Sequence, residues 1–157
     1  MTRYEHILQE VTEASGVEIR LASDRVAELM VDDTIVLLKP LDATEESVSI
    51  FTVILDGDAD DKVLRKAMEL NLFGRGTGGG IIGLFVDSLV YSRTLPLEGV
   101  SAGAFGEALV SFARKAQEIA SGLSAGDASA LPPHVPSGSL RMSAHPDSSS
   151  GQMMMLP

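Results

Sequence analysis

The strongest constraint on the fold is a glycine-rich segment near the middle of the chain. Six of the ten residues from position 74 to position 83 are glycine, so the backbone there can adopt positive φ values that other residues avoid. Helical spacing precedes the segment, and a short apolar run at residues 81–86 follows it. Such a run suits a strand that is buried on both faces. The segment therefore predicts a helix, a turning connection and a strand, in that order.

The same glycines formally match a dinucleotide-binding motif. Residues 78–83 fit the pattern GxGxxG, which binds a pyrophosphate only when it follows a strand and opens a helix. Here the helix comes first and the strand second. The Gly-Lys-Ser/Thr ending of a phosphate-binding P-loop is also missing from the sequence. We therefore predict no nucleotide site in this segment.

Short motifs occur in a fixed order around the glycines. They are Asn71-Leu72, Gly78-Gly79, Gly83-Leu84 and Leu95-Pro96-Leu97. Each motif is common by itself, but their order and spacing resemble the class I type III secretion chaperones, the Tir chaperone (CesT/SycE) family. This resemblance implies a homodimer that binds the N-terminal region of one or more secreted effectors in extended form. It also implies the secretion-apparatus ATPase as a further partner.

The rest of the first 121 residues has the pattern of an α+β domain. Thr2 and Glu5 match a capping box, and apolar spacing then predicts a helix over residues 3–14 that ends at Gly16. Residues 26–31, 34–41 and 47–55 predict strands, and the short Asp32-Asp33 connection predicts an antiparallel hairpin. Further helices are predicted over residues 61–72 and over residues 102–121, the latter ending at Gly122. The predicted class is α+β, an antiparallel sheet with three helices in the order α-β-β-β-α-β-β-α.

The predicted strands are apolar on both faces. Ile35 and Leu37 alternate with Val36 and Leu38, although a half-exposed antiparallel sheet should alternate apolar with polar residues. An exposed apolar face of this size usually marks an interface. The sequence leaves open whether loops and a second subunit cover this face or whether it receives a partner. We expect the pair Ile35 and Leu37 to be the exposed one.

The family resemblance suggests residues for two interfaces. For partner binding we predict residues of the first helix and of the first three strands: Ile7, Leu29, Val31, Ile35, Leu37 and Ile50. For the dimer interface we predict residues of the second helix and of the strand after the glycines: Leu64, Met68 and Phe85. The second helix is apolar on more than one side, which is typical of a helix that is buried or lies at a subunit interface.

Charge and composition exclude several classes of function. The formal net charge of -10 argues against binding to nucleic acid and favours basic partners. The chain has no cysteine, no signal-peptide pattern and no apolar run long enough to span a membrane. These features predict a cytoplasmic protein with no membrane span, and the family resemblance implies the cytoplasm of a bacterium.

The sequence contains no recognisable catalytic or metal-binding pattern. The motifs GxSxG and HExxH are absent, and the three histidines have no partner at ligand spacing. The acidic residues from Asp56 to Asp61 resemble a calcium loop, but Asp61 and Ala67 occupy the positions that need Gly and Glu. We therefore predict a binding protein without catalytic activity, cofactor or metal. The alternative function is a small dimeric scaffold or regulatory module that binds a folded protein partner.

Residues 122–157 differ in composition from the domain. They are rich in Ser, Gly, Ala, Pro and Met, which predicts a disordered tail. The tail ends with Met153, Met154, Met155 and Leu156, and such an adaptable cluster is suited either to docking or to no role at all.

Overall fold

The computed structural model describes residues 1–57 and 59–125, so the predicted tail lies almost entirely outside the described residues. The helices are α1 (Arg3–Ser15), α2 (Asp61–Asn71) and α3 (Ala102–Ser124). The strands are β1 (Arg20–Leu21), β2 (Ala27–Val31), β3 (Thr34–Pro40), β4 (Ser47–Leu55), β5 (Ile81–Phe85) and β6 (Ser88–Pro96). This confirms the predicted class and order, with the two-residue strand β1 as an addition.

All six strands form one antiparallel sheet in the order β1-β2-β3-β4-β6-β5. The hairpin between β2 and β3 turns at Asp32 and Asp33, whose φ values of 44° and 61° are those of a tight two-residue turn. This register pairs Met30 with Ile35 and Leu29 with Val36. The strands at the two edges, β1 and β5, each pair on one side only.

Helix α1 begins at the predicted capping box and is fixed to the sheet through Tyr4. The hydroxyl of Thr2 accepts from the backbone N–H of Glu5, and Gly16 ends the helix with a φ of 69°. The phenol of Tyr4 donates to the carbonyl of Leu38 at 3.0 Å, and burial raises its pKa to about 12. The pKa of Glu5 is lowered, mainly because its carboxylate accepts from the backbone N–H of Thr2. Helix α1 is therefore anchored at its first turn.

The core lies between the sheet and helices α1 and α3. Val36 and Leu38 of β3 are fully buried on this inner face, as are Val48 and Ile50 of β4. The ring of Phe112 on α3 stacks on the ring of Tyr91 with their centroids 4.8 Å apart. Helix α3 continues past Gly122, contrary to our expectation, because Leu123 extends its buried stripe by one more turn.

The glycine segment is a compact connection from α2 to β5. Gly78 and Gly79 have φ values of 60° and 87°, which only glycine adopts without strain. A Cβ on Gly80 would lie 2.4 Å from the ring of Tyr91, so this position is closed to any larger residue. The hydroxyl of Tyr91 in turn donates to the carbonyl of the fully buried Thr77 at 2.6 Å. The segment is therefore packed directly against the core.

Asn71 connects the end of α2 to strand β5. Its side-chain amide donates to the carbonyl of Ile82 and accepts from the N–H of Ile82, both at 2.8 Å. The amide thus takes the place of a neighbouring strand for one residue of β5. This double hydrogen bond sets the position of β5 relative to α2.

We expect Asn71→Ala to destabilise the protein by about 1–3 kcal/mol, because both backbone groups of Ile82 lose a partner. The free energy of unfolding, measured by urea denaturation, tests this expectation. Glu69→Ala on the exposed side of α2 is the control and should change stability by less than about 0.5 kcal/mol. An equal effect of the two substitutions would show that the two hydrogen bonds of Asn71 do not contribute to stability.

A candidate partner-binding surface

The face of the sheet that points away from α1 and α3 carries an apolar surface. We call it the outer strip; it consists of Met30, Ile35, Leu37, Phe51 and Val53. Met30 pairs with Ile35, and Leu37 pairs with Phe51, so these side chains lie side by side across β2, β3 and β4. Ile35 is 51% exposed and Val53 is equally exposed. The strip therefore remains open to solvent in the single chain.

At one end of the outer strip the edge of the sheet is incomplete. Strand β1 pairs only with Glu28 and Ala27, so the remaining residues of β2 have no strand beside them on that side in the described ladder. A cavity of about 420 Å³ lies there, lined by Val17, Glu18, Arg20, Glu28, Leu29, Met30 and Ile35. An open strand edge beside apolar side chains can accept an extended peptide as an additional strand.

A second cavity, of about 400 Å³, lies where β3 and β4 separate. Their described backbone pairing ends at Leu37 and Phe51, and beyond it the hydroxyl of Thr52 donates to the carbonyl of Ile35 at 2.7 Å. The register of β4 also shifts between Val53 and Leu55. This β3–β4 cleft is lined by Asp33, Thr34, Ile35, Leu37, Thr52, Val53, Ile54, Ala116, Gln117 and Ala120.

Ile35 lines both cavities. The edge cavity and the β3–β4 cleft therefore adjoin at this residue, and we call the two together the groove. The edge cavity opens at the β1 edge, and the cleft reaches α3 through the gap between β3 and β4. Four charged side chains line the groove, and three of them, Glu18, Glu28 and Asp33, are acidic, the other being Arg20. The groove combines an apolar floor with a predominantly acidic border.

A second exposed apolar surface lies at the opposite edge of the sheet. The exposed apolar side chains there are Met68, Leu72, Phe73, Leu84 and Phe85, which we call the α2–β5 patch. Leu84 and Phe85 are consecutive in β5 and point to opposite faces, so the patch surrounds the edge of the sheet. Helix α2 contacts β5, and β5 is an edge strand with no strand on its outer side, where Asn71 bonds to Ile82. Phe73 is 85% exposed and Met68 is 73% exposed, although large apolar side chains in such a cluster are normally covered.

Two residues in and beside the patch have a strained backbone. Phe73 and Val86 have φ values of 57° and 55°, a region that bulky and β-branched residues rarely adopt. Val86 lies in the turn between β5 and β6 and is also exposed. Apolar residues kept in a costly conformation without burial in the protomer indicate a surface shaped for contact.

The predicted partner-binding residues divide between the two faces of the sheet. Ile35 and Leu37 lie on the outer face, as expected, with Ile35 more exposed than Leu37. Ile7, Leu29 and Ile50 are instead buried between the sheet and the helices, and of these three Leu29 also lines the edge cavity. Their role in partner binding stays a prediction. Val31 is half-buried, and it lies on the same side of β2 as Leu29.

The predicted dimer residues also differ in exposure. Met68 and Phe85 lie in the α2–β5 patch, whereas Leu64 is half-buried and packs against the core. The expected burial of β5 on both faces does not occur in the single chain, since only Ile82 of this strand is buried.

Sequence reasoning missed Phe73 because its exposure follows from the left-handed turn after α2. It also missed Met30, which the two-residue hairpin places opposite Ile35.

Within residues 1–57 and 59–125, no three or more His, Cys, Asp and Glu side chains are grouped so that they could hold a metal ion. None of the helices in this described part combines the length and hydropathy needed to cross a membrane.

A sequence profile of the Tir chaperone protein (CesT) family matches residues 6–120. This range runs from α1 to α3 and contains both the groove and the α2–β5 patch. Among curated proteins, none matches the sequence significantly.

Solved structures with the same fold include a type III secretion chaperone. The Yersinia pestis type III secretion chaperone SycH, solved with a fragment of YscM2, has a TM-score of 0.57 and 21% identity over 74% of this chain and 98% of its own. SpcS, solved in complex with ExoT from Pseudomonas aeruginosa, has a TM-score of 0.55 and 19% identity. The match covers 74% of this chain and 96% of the SpcS structure's chain. YbjN from E. coli, a proposed transcription regulator, has a TM-score of 0.57 and 13% identity. The match covers 77% of this chain and 91% of YbjN.

Proposed function

The chain belongs to the Tir chaperone protein (CesT) family, and we propose that it is a type III secretion chaperone that binds an effector in extended form. The observation that carries the proposal is the groove around Ile35, where an open strand edge meets an apolar floor. An extended effector segment would pair with β2 at the edge and place alternate side chains on the outer strip. The effector would thereby be kept soluble and competent for secretion.

The border of the groove suggests the chemistry of the bound segment. Glu18, Glu28 and Asp33 would favour a segment in which apolar residues alternate with Lys or Arg. The net charge of -10 would also speed the encounter with a basic partner at low ionic strength. None of these steps requires catalysis, so we propose that the chaperone has no enzymatic activity of its own.

The α2–β5 patch supports a homodimer as part of the same proposal. A second copy placed on the patch would cover Met68, Phe73 and Phe85 and would also cover the outer edge of β5. The two grooves of the dimer would then lie at its outer ends, at the β1 edge of each protomer. We further propose that the dimer acts in the bacterial cytoplasm and delivers effectors to the secretion-apparatus ATPase.

Affinity purification of the full chain from its own organism, followed by mass spectrometry, tests the proposed function. We expect a secreted protein to be enriched, and hydrogen exchange of the complex to show protection at β2 and β3. Protease treatment of the complex should leave a protected segment from the N-terminal region of that protein. A folded partner that leaves β2 and β3 unprotected would overturn the proposal and favour a scaffold role.

A further inference from the structure

The groove lies close to the point where the described chain ends. Ala116, Gln117 and Ala120 of α3 line the β3–β4 cleft, and α3 ends at Ser124, one turn beyond Ala120. One helical turn corresponds to about 5.4 Å along the axis. The chain therefore continues from a position next to the groove, with residues 126–157 still to follow.

The chain beyond α3 is long enough to return to any part of the groove. Met153 is about 29 residues further along than Ser124, which allows an extended reach of up to about 100 Å. The six strands are separated by five spacings, so the sheet is about 24 Å wide between its edge strands. Length imposes no restriction on contact between the end of the chain and the outer strip.

The composition of the chain end matches the floor of the groove. Four of the seven methionines follow α3, and three of them are consecutive, followed by Leu156. Unbranched methionine side chains adapt to irregular apolar surfaces such as the one formed by Met30, Ile35 and Val53. The charged side chains of residues 126–157 are Asp127, Arg141 and Asp147, so the acidic border does not repel these side chains strongly.

We propose that the segment Met153–Leu156 of this chain occupies the groove when no effector is bound. The inference rests on the proposed function in one respect, namely that an effector uses the same groove. Glu18, Glu28 and Asp33 do not attract a nearly neutral segment, whereas they do attract a basic effector. The segment thus shields the apolar strip in the free chaperone and yields to the cargo.

Thiol labelling measures occupancy of the groove without any effector. The chain has no cysteine, so Val53→Cys in the cleft introduces a single reactive thiol. In this background we compare the native tail with a variant in which Met153, Met154, Met155 and Leu156 are replaced by Ser. A tethered segment has an effective concentration of the order of 1 mM, so even weak docking protects the thiol about two-fold or more. We expect the labelling rate to rise by at least that factor in the serine variant.

Two controls make the test specific. A matched variant replaces apolar residues elsewhere in the tail by Ser, namely Leu131, Val135, Leu140 and Met142. This variant should leave the labelling rate at position 53 unchanged. In a second background, Ala14→Cys on the exposed side of α1 should show no dependence on the tail.

Three results would overturn the inference. They are an unchanged rate in the serine variant, an equal rise in the matched variant, and protection that disappears on ten-fold dilution because another copy supplies the segment. Failure of the proposed function is seen separately, in the affinity purification. If an effector is found, the serine variant should bind it more tightly by the same factor by which its labelling rises. Unchanged effector affinity despite faster labelling would show that cargo and tail do not compete.

Discussion

Leu38→Ala is expected to destabilise the protein by about 2–5 kcal/mol, whereas Ile35→Ala is expected to weaken effector binding and leave stability almost unchanged. The two residues lie in the same strand, three positions apart, and point to opposite faces of the sheet. Leu38 is fully buried between the sheet and the helices, so its truncation leaves a cavity in the core. Natural domains have a total stability of about 5–15 kcal/mol, so this loss is a large fraction of it.

Ile35 has the opposite profile because it contributes to the groove and little to the core. It is 51% exposed and lines both cavities, so truncation to Ala should cost less than about 1 kcal/mol of stability. If Ile35 fills a position under the effector, its loss should weaken binding by at least about 1 kcal/mol, or roughly five-fold. Val53→Ala, in the adjacent strand, should behave in the same way.

Urea denaturation and effector titration of each variant measure the two effects. We expect Leu38→Ala to lose binding only in step with unfolding, so its folded fraction should bind with native affinity. If Ile35→Ala and Val53→Ala both bind the effector with native affinity, the outer strip is not the binding site. If Ile35→Ala is as destabilised as Leu38→Ala, the assignment of the two faces is wrong.

The sequence predicted those parts of the fold that local patterns determine. The capping box at Thr2 and the stop at Gly16 set the bounds of α1 to within one residue. The Asp32-Asp33 turn fixed the pairing of β2 with β3. Gly122 misled the prediction because a buried stripe that ends at Leu123 outweighs the low helical propensity of one glycine.

The face assignments were only partly predictable, because the strands are apolar on both sides. Alternation shows which residues share a face but does not show which face meets the helices. The strand register supplies the missing information. Leu29 pairs with Val36, and Ile50 pairs with Leu38, so neither could share a face with Ile35. The β3–β4 cleft was not predictable at all, since it depends on where the pairing of two strands ends.

The two apolar surfaces have different physical characters, which suggests different kinds of partner. The groove has an acidic border and an incomplete strand edge. The side chains of Met30, Ile35 and Val53 on its floor are only about half exposed. The α2–β5 patch presents side chains that are far more exposed, and Phe73 occupies it at the cost of a left-handed backbone. A groove with partial exposure suits a transient extended peptide. A prominent patch at an edge strand suits a permanent subunit contact.

Phe73→Asp is therefore expected to separate dimerisation from folding. Asp adopts positive φ values more readily than Phe, so the substitution should not destabilise the protomer. In a dimer that covers the α2–β5 patch, the same carboxylate would be buried without a partner. We expect the dimer dissociation constant to rise by at least about 100-fold, which corresponds to about 2.7 kcal/mol.

Sedimentation equilibrium of the full chain measures this change, and urea denaturation of the dissociated protein checks that the protomer remains folded. Ala104→Asp is the matched control, because it places the same carboxylate on an exposed position in the first turn of α3, where the helix dipole favours it. The control should sediment like the native chain. A native chain that is monomeric at micromolar concentration would refute the dimer itself. A Phe73→Asp variant that dimerises normally would instead show that the subunits meet elsewhere. Met68 and Phe85 would then lie outside the dimer interface.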